Sequence, residues 1–161
     1  MKPIHVSETV HAPIEAVFAV ASDMPNAAER IGGIDSIEML TEGPVGMGAK
    51  WRETRTMFGK QADETMWITE WEPPVPGVAS ARYVVEARSH GCHYLTPVEF
   101  ERIGDNETRM SMTMNATAEK LSSKIMMVVF GFMAKSAAKM LQADLRDIKA
   151  YCEGSAQPAV V

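Results

Sequence analysis

One stretch constrains this chain more than any other. Leu121 to Glu153 is 33 residues without a proline, and it follows a long region that reads as strands. As a helix it spans ~50 Å at 1.5 Å per residue, with Ser122 and Ser123 near its start. Its apolar stripe, Met126, Phe130, Met133, Ala137, Leu141, Leu145, Ile148 and Cys152, follows the i, i+3, i+4, i+7 spacing of a helix buried along one side. A helix of this length needs a broad apolar surface to lie on.

The preceding region supplies one. Ile4 to Val10 reads as a strand, with Ile4, Val6 and Val10 on one face and Glu8 as the exception. Ile14, Val17, Phe18 and Ala21 then take helical spacing after Pro13, and Asp23 is placed to cap a second short helix ended by Gly32-Gly33. Six strand candidates follow: 34–41, 49–58, 61–71, 78–88, 92–102 and 107–118. Their turns lie at Glu42-Gly43-Pro44, Gly59-Lys60, Glu72-Pro73-Pro74, His90-Gly91 and Gly104-Asp105-Asn106. Strands grouped together and helices grouped apart predict an α+β fold with an antiparallel sheet. The expectation is one domain over residues 1–154 and a frayed tail over 155–161.

Four segments in this order resemble the START-like helix-grip superfamily, in its polyketide cyclase/dehydrase and lipid-transport (SRPBCC) branch. They are Val10-His11-Ala12-Pro13-Ile14-Glu15-Ala16-Val17-Phe18, Gly43 to Trp51, Gly59 to Pro74, and Asp144 to Glu153. The resemblance implies a curved seven-stranded antiparallel sheet and two short helices wrapped around the long C-terminal helix. It also implies an apolar cavity between sheet and helix. These are packing and turn motifs, so they imply nothing about a particular reaction.

Hairpin geometry assigns the faces. With Gly59-Lys60 as a two-residue turn, Glu53 pairs with Met66 and Trp51 with Ile68, putting Trp51, Glu53, Arg55, Met66 and Ile68 inward. Across the later turns Tyr83 pairs with Val98, Val85 with Thr96, Val98 with Met112 and Phe100 with Met110. Tyr94, Met110, Met112 and Met114 then share the inner face. The chain carries 13 methionines, and several fall on this face and on the long helix. Methionine suits an adaptable apolar surface, whether a cavity or a core. The ligand-binding set expected from this reading is Trp51, Glu53, Arg55, Met66, Tyr83, Val85, Tyr94, Val98, Met112, Met126, Phe130 and Met133.

Few residues invite chemistry. Glu53 and Arg55, with Glu64 placed across from Arg55, form either a half-solvated ion pair at the sheet rim or a site that orients a polar head group or polarises a carbonyl. The residues alone favour the rim pair. Tyr83 and Tyr94 are either core phenols or ligand partners. His90, Cys92 and His93 cluster on a turn, but Cys92 and His93 point to opposite faces and no second cluster completes a metal site. His5 and His11 are expected to be exposed. No nucleophile elbow, P-loop or dinucleotide motif is present, so neither a metal nor a cofactor is expected.

Composition closes off other classes. The formal charge is -5, from 16 basic and 21 acidic residues, with no basic run, so nucleic acid is not the expected partner. The longest apolar run, Ile125 to Ala134, is ten residues, half of the ~20 a membrane span requires. Its excess apolar face, Ile125, Val128, Val129 and Phe132, points to loop packing or a homodimer contact rather than a membrane. No lysine or arginine array flanks it. Cys92 and Cys152 do not make a disulfide framework, and a cytoplasmic location is expected. The leading reading is non-catalytic binding of a small hydrophobic ligand (lipid, isoprenoid or polyketide-like). The alternatives are a cyclase or dehydratase in the same cavity, or a protein-interaction regulator without a ligand.

Overall fold

The structure is a computed structural model that describes residues 2–57, 59–89, 91–119 and 121–154, without the side chains of 57 and 121–133. Strand β1 (Ile4–Val10) leads into helix α1 (Ile14–Ala21), a 3₁₀ turn (Met24–Asn26) and helix α2 (Ala27–Arg30). Strands β2 (Ser36–Met39), β3 (Lys50–Met57), β4 (Lys60–Glu72), β5 (Ser80–Ser89), β6 (Cys92–Gly104) and β7 (Glu107–Ala118) follow, and helix α3 (Leu121–Cys152) completes the order. The seven strands form one antiparallel sheet in the order β1-β7-β6-β5-β4-β3-β2. Closing β1 onto β7 brings the first strand under the last helix. There Gln142 and Arg146 of α3 bond Glu8, and Lys149 bonds the Thr9 carbonyl. Glu8 breaks the apolar alternation of β1 because it is the acceptor that fixes the helix.

The registers of β5 with β6 and of β6 with β7 are those expected: Tyr83 faces Val98, Val85 faces Thr96, Val98 faces Met112 and Phe100 faces Met110. The β3–β4 hairpin differs. Met57 pairs with Lys60, so the connection is 58–59 rather than Gly59-Lys60, and Trp51 faces Met66 while Glu53 faces Glu64. Gly59 has φ +74°, and it takes the second turn position rather than the first. The slip is two residues, an even number, so every side chain keeps its expected face. A bulge between Ile68 and Glu70 then changes the alternation in β4. Ile68 and Trp71, three apart, thereby both turn inward, and Trp71 stacks edge-on against Phe18 at 5.1 Å.

Asp23 holds the N-cap position of the 3₁₀ turn, as expected, but its side chain makes no capping bond; its carboxylate accepts from Asn26 Nδ2 and pairs with Arg30 at 2.7 Å. Pro13 is the N-cap of α1, at the helix start where it is expected. The tail 155–161, His90 and the side chains of Met126, Phe130, Met133, Val128 and Phe132 lie outside the described residues.

Candidate functional site

The inner face of the sheet is sealed at one end and accessible at the other. At the α1 end Val10, Met110, Phe100, Tyr83, Val98 and Ile68 are buried, and Phe18, Trp71, Tyr83 and Phe100 form an aromatic cluster with ring centroids 5.1–5.9 Å apart. At the opposite end Met66, Val85, Tyr94, Thr96, Met112 and Met114 are only half-buried although they point inward. An apolar inner surface left partly accessible is what a ligand needs and what a finished core avoids.

The polar part of this face is a cluster that joins sheet to helix. Arg55 on β3 makes a bidentate pair with Asp144 on α3, Nη1 to Oδ1 at 3.1 Å and Nη2 to Oδ2 at 2.8 Å. Its Nε donates to Glu53 Oε1 at 2.5 Å. Glu53 is 7% exposed and Asp144 4%, so the half-solvated rim pair expected from the sequence is not what forms. Nor does Glu64 stand across from Arg55: Ala62 does, and Glu64 faces Glu53. Burial alone would lower the Arg55 pKa, but the carboxylates of Glu53 and Asp144 outweigh it and hold the guanidinium more firmly protonated than usual. Burial pushes the Asp144 carboxyl up against the pull of Arg55. The loop after α2 rests on this cluster. Gly32 N–H donates to Asp147 Oδ2 at 2.9 Å, and a Cβ on Gly33 would lie 3.0 Å from Arg55 Nη1.

Asp144 is the residue that sequence reading missed. It lies three positions after Leu141 and one before Leu145, inside the buried stripe, and a charge in such a stripe is the signal that could have found it.

The remaining candidates separate by environment. The Tyr83 hydroxyl donates to the Ala21 carbonyl at 2.9 Å and its phenol is held well above its ordinary pKa by burial, so that group anchors α1. Tyr94 lies at the accessible end, its pKa pushed up to about 12 by burial and then by Cys92 and Glu64. Trp51 is wholly buried, and its indole N–H has no hydrogen-bond partner among the described residues. Cys92 is buried on the inner side, whereas His93 lies on the outer face and pairs with Glu86 at 2.7 Å. Among the described residues no three His, Cys, Asp or Glu side chains are gathered to hold a metal. A groove of about 410 Å³ crosses the outer face between Arg82, Glu99, Glu101 and Arg109. Its arginines are already paired, Arg82 with Glu70 and Arg109 with Glu101.

Comparison with known proteins agrees with this architecture. No curated protein matches the chain. Among solved structures, the Zhui aromatase/cyclase from Streptomyces sp. R1128 superposes with a TM-score of 0.69 at 15% identity, covering 99% of this chain and 98% of that one. TTHA0849 from Thermus thermophilus gives 0.67 at 16% identity over 96% and 99%. Ara h 8.0201 gives 0.62 at 16% over 94% and 97%. At these identities the likeness is one of fold, a helix-grip sheet closed by its C-terminal helix. The model of one family, described as polyketide cyclase / dehydrase and lipid transport, matches residues 1–153. With nearly the whole chain matched and its sheet, helices and long terminal helix in the expected places, the protein belongs to the polyketide cyclase/dehydrase and lipid-transport family.

Proposed function

We propose that the chain binds a small hydrophobic molecule (a lipid, an isoprenoid or a polyketide-like compound) between the inner face of the sheet and α3, without transforming it. The graded burial of that face carries the reading: sealed aromatics at the α1 end, half-buried Met66, Val85 and Met112 at the other. Apolar burial supplies the affinity, at ~25 cal/mol per Å² before ordering costs. Tyr94, Glu53 and Arg55 form the polar end, while Tyr83 and Val98 make the floor. Met126, Phe130 and Met133 are the proposed contacts from α3. Thiols at Cys92 and Cys152 fit a reducing cytoplasm.

A second reading, a cyclase or dehydratase in the same space, is favoured by the family description and by the aromatase/cyclase relative. It draws on the buried Arg55–Glu53 pair as a source of electrostatic stabilisation for a developing oxyanion.

Native mass spectrometry of the purified protein tests the first reading. A non-covalent mass of lipid size, released on denaturation, is expected, and the same spectrum reads whether the chain is a homodimer. A bare mass that stays bare through a panel of apolar ligands refutes it. Turnover of a polyketide-like substrate by the bare protein would favour the second reading.

A further inference from the structure

The polar cluster on the inner face is out of balance. Two nearly fully buried carboxylates, Glu53 and Asp144, share one guanidinium, Arg55. Among the described residues Arg55 is the one cation that acts on Asp144, and Asp147 adds a further negative charge nearby. The bonds within the cluster are unevenly spent. Both oxygens of Asp144 accept from Arg55, but Glu53 accepts through Oε1 alone. Its second oxygen, Oε2, accepts from no donor among the described residues. A carboxylate 93% removed from water on the inner face of the sheet thus has one oxygen left over within the cluster. An unmatched buried charge is costly, and a group of opposite sign placed there relieves the cost.

We infer that this oxygen is the receptor for a cationic head group, so that the ligand is an apolar molecule bearing a protonated amine rather than a carboxylate. The inference rests on the apolar-ligand reading above and specifies the charge of what that space accepts. A carboxylate ligand would meet Arg55 already engaged by two acids and would add a third negative charge to the cluster. An amine donates to Glu53 Oε2 and balances the excess. Met66 and the other half-buried apolar side chains of the inner face take the hydrocarbon part.

The test is isothermal titration of the full chain with three ligands of one ten-carbon chain, decylammonium, decanol and decanoate, below their micelle-forming concentrations. Decylammonium is expected to bind at least about tenfold more tightly than decanol, the low end of what a close charge pair contributes, and decanoate more weakly than decanol. In Glu53→Gln the amine and the alcohol are expected to converge to within about threefold, with a cooperative thermal melt as proof that the variant is folded. Equal affinities for all three in the native chain overturn the charge inference and leave the apolar-ligand reading standing. So does tighter binding of decanoate. An amine preference that survives Glu53→Gln overturns the assignment to this oxygen. Failure of all three to bind overturns both readings.

Discussion

Replacing Arg55 with methionine strands two buried carboxylates. The guanidinium makes three charge-assisted bonds, at 2.5 Å to Glu53 and at 3.1 and 2.8 Å to Asp144, and the substitution deletes all of them. Methionine keeps most of the aliphatic stem's packing, so the electrostatic loss dominates. Removing one partner of a buried ion pair costs ~3–5 kcal/mol. At ~2–4 °C per kcal/mol for a chain of this size, Tm should fall by ~6–20 °C. The deficit should also depend on pH in a definite direction. Burial already raises Asp144 and only Arg55 opposes it, so without Arg55 the carboxyl rises further. The folded variant then takes up a proton more readily than its unfolded chain, and its stability relative to the native protein recovers as pH falls from 8 toward 5. Urea unfolding followed by tryptophan fluorescence at several pH values measures both effects. Converting the whole cluster (Glu53→Leu, Arg55→Met, Asp144→Leu) should regain most of the loss, because no charge is left stranded. A loss under ~1 kcal/mol, or a deficit that does not change with pH, would refute the buried-cluster argument.

Three further outcomes follow from the same geometry. Gly33→Ala should destabilise by ~1–3 kcal/mol, because the new Cβ meets a guanidinium pinned at 3.0 Å, while Gly32→Ala, with its nearest atom at 3.6 Å, should be near neutral in thermal melts. Tyr83→Phe should cost ~1 kcal/mol by leaving the Ala21 carbonyl without its donor, with ligand affinity unchanged in a titration. Asp144 has its pKa raised in the folded state, so the native protein gains stability as pH falls through the interval between the ordinary carboxylate value and the raised one. Asp144→Asn should flatten that gain in a pH series of urea unfolding.

Much of this was legible because the decisive information is local. Short turns at Gly91 and at 105–106 leave little freedom, so the pairings of Tyr83 with Val98 and Val98 with Met112 follow from counting residues. The β3–β4 hairpin shows the limit. Sequence marks Gly59 as a turn residue but not which turn position it holds, and only the even size of the slip preserved the faces of Trp51, Glu53 and Arg55. The bulge after Ile68, which turns Trp71 inward, has no local mark in the sequence. The Arg55–Asp144 pair was invisible for a different reason. Its partners are 89 residues apart, and a charged residue on a helix reads as solvated until the sheet it crosses is known. Tyr83 likewise reads as a possible ligand partner until the carbonyl at the end of α1 is placed against it.

The accessible end of the inner face, and not another surface, is the proposed seat of the apolar ligand. Methyl-labelled methionine resonances report on it directly, because methionines occupy contrasting places. Met66, Met112 and Met114 line the accessible end, Met110 is buried in the closed end, and Met47 is 66% exposed on the loop before β3. Titration with decanol, neutral and therefore independent of the charge inference, should shift the Met66, Met112 and Met114 signals together and saturably, with Met47 unmoved. Shifts confined to Met47, or none at all up to the solubility limit, would contradict the account.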